Sequence, residues 1–96
     1  MPAVCRVGDR DVTHCSGMVR AQGSPNVFVN GVSVSNQGHF NTGHLKTGIP
    51  CLPHKAAITT GSSSVFCNLR GMGRVNDPIA GCTRVAAGSS NVFCGG

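Results

Sequence analysis

The sequence predicts a small all-β fold in which three pseudo-equivalent repeats of short strands wrap around one axis. Three observations carry this reading. The motif Gly-Ser-x-x-Val-Phe occurs three times in 96 residues. A turn followed five residues later by a His or Cys also occurs three times, once ahead of each motif. No stretch sustains the period of a helix.

The motif copies are Gly23-Ser24-Pro25-Asn26-Val27-Phe28, Gly61-Ser62-Ser63-Ser64-Val65-Phe66 and Gly88-Ser89-Ser90-Asn91-Val92-Phe93. Gly-Ser is a turn signal, because Gly accepts unusual backbone angles and Ser bonds back to nearby backbone. Val-Phe-Val and Val-Phe-Cys are short runs of strand formers. Val32-Ser33-Val34-Ser35 alternates with period two, as a half-buried strand does. The preceding turns are Val7-Gly8-Asp9, Gln37-Gly38-His39 and Val75-Asn76-Asp77. The middle unit carries an insertion from about Leu45 to Lys55, and Pro50 and Pro53 break any helix there. Three units that cannot each bury their own face should share one core, with Phe28, Phe66 and Phe93 meeting near the axis.

Residues 1–96 read as a single domain with no effector extension. A chain this short buries a modest share of its surface, so a staple is expected: disulfides, a metal or a partner. No segment approaches the apolar length needed to span a bilayer. Met1-Pro2-Ala3-Val4-Cys5-Arg6 lacks the apolar core of a signal peptide, so synthesis in a cytoplasm is expected. That argues against a disulfide framework for the six cysteines. The formal charge is +5, but the basic residues are scattered and lack aromatic neighbours, which argues against nucleic acid as a partner.

His14, His44 and Cys82 each lie five residues past a turn. Wrapping the units around one axis would bring them together. His54, which follows the stiff segment Pro50-Cys51-Leu52-Pro53, can supply a fourth donor. Four N and S donors make a closed tetrahedral set, the pattern of structural zinc with no open position for catalysis. His39, Cys51 and Cys15 are rivals for a place in the set. His39 stands where Asp9 and Asp77 stand, so it reads as a turn residue. Cys67 and Cys94 stand where Val29 stands, so they read as small apolar filler. Cys5 has no assigned role.

The threefold Gly-Ser-x-x-Val-Phe, the Gly-Asp turns and the His/His/His/Cys set resemble the PAAR-repeat proteins. The resemblance covers nearly the whole chain and is most specific at Gly23 to Gly31, Gly61 to Phe66, and Arg74 to Cys82. The name motif Pro-Ala-Ala-Arg is replaced by Val32-Ser33-Val34-Ser35-Asn36 and by Arg70-Gly71-Met72-Gly73-Arg74, of which only Arg74 keeps the terminal Arg. The resemblance implies a conical tip with one structural zinc near its point, held by His14, His44, His54 and Cys82. It implies docking, one copy per trimer, on a trimeric β-helical spike of a phage tail or type VI secretion system. It further implies transient contact with a target membrane and, in some relatives, a toxin cargo, which here would be a separate chain.

On this reading the protein is not an enzyme. A zinc hydrolase needs an open metal position and a general base. The chain has no Glu, and two of its three acids, Asp9 and Asp77, sit in the repeated turns. The other alternative is a secreted disulfide-rich binding module, which six cysteines allow.

Overall fold

The turn residues set the frame. In a computed structural model, which describes residues 2–13, 17–45, 53–80 and 82–95, Gly8, Gly38 and Asn76 take φ of 92°, 87° and 75°. That left-handed step lets the following residue fold back. Asp9 Oδ2 accepts the backbone N–H of Arg6 at 2.8 Å, and Asp77 Oδ2 that of Arg74 at 2.7 Å. In the middle unit His39 Nδ1 accepts the N–H of Asn36 at 2.8 Å. The reading of His39 as a turn residue therefore holds.

The described residues form strands and bridges only, with no helix. Six two-residue strands pair as three antiparallel ribbons: β1 (Phe28–Val29) with β2 (Val32–Ser33), β3 (His44–Leu45) with β4 (Pro53–His54), and β5 (Phe66–Cys67) with β6 (Arg70–Gly71). Single antiparallel bridges do the rest, and they close on themselves. Arg6 pairs with Val34, Asn36 with Met72, and Arg74 with Val4. Arg20 pairs with Asn41, Ile58 with Ile79, and Val85 with Asp11. Each repeat thus pairs with the next, and the third returns to the first.

The Gly-Ser motifs lock these rings. Ser24 Oγ accepts the N–H of Val27 at 2.9 Å, Ser62 that of Val65 at 2.9 Å, and Ser89 that of Val92 at 3.0 Å. The backbone N–H groups of the same serines donate to the carbonyls of Val34, Met72 and Val4 at 2.8, 2.9 and 2.8 Å. Their hydroxyls donate across to the next unit: Ser24 to Asn68 Oδ1, Ser62 to the Gly95 carbonyl at 2.6 Å, and Ser89 to Asn30 Oδ1 at 2.6 Å. Asn30 and Asn68 sit at φ of 54° and 55° in the turns of two ribbons. All three serines are buried, and each of their hydroxyls has its partners.

The core is narrow. One cluster holds Val4, Val29, Val34, Cys67 and Cys94, and a second holds Cys5, Ala56, Ile58, Ile79 and Val85. Cys67 and Cys94 pack with Val29, as their shared place in the repeat indicated. Strips approach so closely at Gly73 that an added Cβ would lie 2.1 Å from the Ser35 carbonyl oxygen and 2.7 Å from Cys5 Sγ. The occupants of that place in the three repeats, Cys5, Ser35 and Gly73, are accordingly small.

Two expectations are corrected. Phe28, Phe66 and Phe93 do not form the core; they are 56%, 62% and 48% exposed. Successive strand residues point to opposite faces, and the next residue, Val29, Cys67 or Cys94, turns inward instead. A phenyl ring has no room where strips nearly touch. The alternation of Val32 to Ser35 is also not realised as burial. Val34, Ser35 and Asn36 are all fully buried, because the segment leaves its ribbon and enters the ring of bridges. The molecule is elongated, with extents of 38 × 23 × 21 Å.

Candidate metal centre

The insertion in the middle repeat works as a ribbon. β3 and β4 pair antiparallel with His44 directly opposite His54, so a residue ten positions away returns to the side of the first ligand. Cys82 reaches the same place from the third repeat, after the Asp77 turn and a backbone bond from its own N–H to the Ile79 carbonyl at 3.0 Å.

The three side chains converge. His44 Nε2 lies 3.1 Å from Cys82 Sγ, and His54 Nε2 lies 3.4 Å from it. The two imidazoles meet edge to face, with centroids 4.4 Å apart. All three ligand atoms lie within 4.8 Å of one another. A tetrahedral zinc with ordinary bond lengths would set its N and S ligands roughly 3.5 Å apart. The spacing fits a metal, and the group is able to hold one.

The local chemistry prepares each ligand. His44 Nδ1 is 2.7 Å from the Thr42 carbonyl, which can only accept, so Nδ1 carries the proton and Nε2 keeps its lone pair. This carbonyl–imidazole contact is the usual support behind a metal-bound histidine. Burial pushes the Cys82 thiol up from its ordinary range, and the Arg20 charge opposes it. A bound cation would reverse that balance, because thiol coordination displaces the proton.

Of the four residues predicted from sequence, the structure brings together His44, His54 and Cys82. His14 lies outside the described residues, as do the rival candidates Cys15 and Cys51. His39 is not a ligand in this arrangement, since its Nδ1 is engaged in the turn. Cys5, Cys67 and Cys94 are buried free thiols, so a framework pairing all six cysteines does not form. Burial pushes the Cys5 thiol up to about 12, and it donates to the Ser35 carbonyl at 3.2 Å.

Sequence reasoning missed what lies behind the ligands. Asp11 and Arg20 form an ion pair, Nε to Oδ1 at 3.3 Å, with both side chains fully buried. Asn41 Nδ2 donates to Asp11 Oδ2 at 3.1 Å. Burial raises the Asp11 carboxyl, and the Arg20 charge and the Asn41 bond oppose it. The signal was present: Asp11, Asn41 and Ile79 all stand two residues past a turn residue, which marks an inward place.

No helix among the described residues is long and apolar enough to cross a membrane. No protein-family model and no curated protein sequence matches the chain.

Proposed function

We propose that the chain is a zinc-stabilised tip that caps the threefold end of a trimeric β-helical spike in a contractile injection machine, of the phage-tail or type VI secretion kind, and sharpens it for piercing a membrane. The observation that carries this reading is the closed ring of repeats. Three units pair head to tail and return to the first. A single chain organised this way matches a true trimer with one copy, whereas an ordinary β-domain does not.

Three further features support it. The same place in each repeat carries a half-exposed phenylalanine, Phe28, Phe66 and Phe93. Exposed apolar groups repeated in this manner mark an interaction surface. His44 and His54 stand on the ribbon of the insertion, apart from the two ribbons that carry Phe28 and Phe66, and the elongated body suits a cone. The ligands are N and S donors, the set zinc favours, and in this reading His14 completes it to a closed tetrahedron. A closed site leaves no position for a substrate, so no enzymatic step is assigned. Asp11, the acid outside the turns, is sealed against Arg20 and does not face water as a general base would.

Elemental mass spectrometry of the purified chain, with native mass spectrometry after mixing with a trimeric spike, tests the reading. About one zinc per chain and one chain per spike trimer are expected. His14→Ala, His44→Ala and Cys82→Ala should each lose the zinc. A zinc-free, stably folded wild type would overturn the metal assignment, and a chain that ignores every threefold spike offered would overturn the cap.

A further inference from the structure

The layer next to the metal ligands solves one packing problem in two different ways. Asp11, Asn41 and Ile79 occupy corresponding places in the three repeats, and their bridge partners Val85, Arg20 and Ile58 do as well. All six are buried to 3% exposure or less. Part of the layer is apolar: Ile58, Ile79 and Val85. The rest is Asp11, Arg20 and Asn41.

Stability does not account for the polar part. A buried ion pair is often no better than apolar residues of similar volume, and this chain itself uses the apolar solution at Ile79 and Ile58. The polar part is also incompletely satisfied. Asp11 Oδ1, Arg20 Nε and Arg20 Nη2 lack hydrogen-bond partners, even though Asp11 Oδ1 and Arg20 Nε lie at ion-pair distance. Charges held so imperfectly in a core call for another reason.

The Asn41 amide supplies one. Its Oδ1 accepts the N–H of Ala56 at 2.9 Å, two residues past His54. That fixes which end of the amide is oxygen, so Nδ2 faces Asp11 Oδ2 at 3.1 Å. The next residue, Thr42, offers the carbonyl that orients His44. One side chain and its neighbour thus touch the arms of both histidine ligands. Arg20 is anchored from behind by Nη1 donating to the His39 carbonyl at 3.3 Å, and it fixes Asp11.

We propose that Asp11, Arg20 and Asn41 are the outer shell of the metal centre: Asp11, fixed by Arg20, holds the Asn41 amide, which holds the His54 arm through Ala56 and sets the Thr42 carbonyl behind His44, and the three are kept for the metal and not for the fold. This rests on the metal-binding reading above. Fixed arms keep the two imidazoles aimed at one point, so that less ordering is left for the metal to impose. Outer-shell partners of this kind typically contribute 10- to 100-fold in metal affinity.

The test loads Co2+ alone and reads affinity against a competing chelator together with the ligand-field band of the bound cobalt. Asp11→Ile with Arg20→Ile copies the Ile79 and Ile58 that the chain already uses. This double variant should fold at least as stably and bind Co2+ about 10- to 100-fold more weakly, with the band displaced. Asp11→Asn, which keeps volume and an acceptor, provides a second variant if the first does not fold; it should displace the band in the same direction by less. The band reads the geometry of the ligands around the metal, which a purely structural role would leave alone. Wild-type affinity and an unmoved band in the variants would overturn the outer shell while leaving the metal site standing. A wild type that takes up no Co2+ would overturn both.

Discussion

His39 Nδ1 accepts the backbone N–H of Asn36 at 2.8 Å, the bond that a carboxylate makes in the other two repeats. A titrating ring therefore stands where two acids stand. Its neutral form is required, because a protonated Nδ1 cannot accept. Burial lowers its pKa first, and the Arg70 and Arg20 charges lower it further. The folded state thus resists a proton that the unfolded chain accepts near the ordinary value of 6.5. The contribution is present above that value and is lost as pH falls through the depressed folded pKa. His39→Asp should flatten this loss and move acid sensitivity towards the carboxylate range, with stability at pH 7 unchanged or raised by about 1 kcal/mol. Urea unfolding of both proteins from pH 5 to 8 checks it; equal slopes would refute it.

Gly73 marks the closest approach of the strips. An added Cβ would meet backbone at 2.1 Å and the Cys5 sulfur at 2.7 Å. Gly73→Ala should destabilise by about 3 kcal/mol or more, the upper range of overpacking penalties. Gly17→Ala, where a Cβ meets nothing within 4 Å, serves as the control and should stay within about 0.5 kcal/mol of wild type. Chemical denaturation of the pair decides the matter.

The exposed phenylalanines separate folding from docking. Buried Phe→Ala changes cost about 3–5 kcal/mol, but Phe28, Phe66 and Phe93 are each about half exposed. Alanine at any one should cost the isolated chain about 1 kcal/mol, well under the buried value. The triple variant should lose affinity for a trimeric spike by more than its loss of fold predicts. A triple variant that unfolds outright would place these rings in the core after all.

Metal removal should loosen the surroundings of the ligands first. A ligand bound to the native state stabilises it by about 4 kcal/mol at a thousandfold excess over its dissociation constant. Chelation should lower the melting temperature, and re-addition of zinc should restore it. Hydrogen exchange should rise first at His44, His54 and Cys82 and least at Val34 and Val4, which lie in the other cluster. Uniform exchange across the chain would contradict a local clamp.

Much of the frame was legible because repeats report equivalence directly. Asp9, His39 and Asp77 share an offset, and all three make the same bond. Cys67 and Cys94 share Val29's place, and all three are buried together. His54 was legible only as the occupant of a stiff insertion, yet it stands opposite His44. The phenylalanines misled because hydrophobicity alone does not say which face of a two-residue strand points inward; the steric limit set by distant Gly73 and Gly61 does, and that is a property of the closed ring. The pairing of Asp11 with Arg20 was hidden for another reason: it follows from the Arg10–Val19 bridge inside the first repeat, which lays two segments side by side that show no strand pattern in sequence.

The ring has a consequence for how the chain comes into being. Val4 donates its N–H to the carbonyl of Val92, Cys94 donates to Pro2, and Ala3 pairs with Phe93. The segment around Val4 is the partner of the segment around Val92. On a ribosome the residues around Val4 must wait, unpaired, until those around Val92 have emerged from the exit tunnel. Native structure should therefore arrive after most of the chain is synthesised, in one slow, concerted step dominated by distant contacts, and a nascent chain halted before Val92 should remain open to proteolysis.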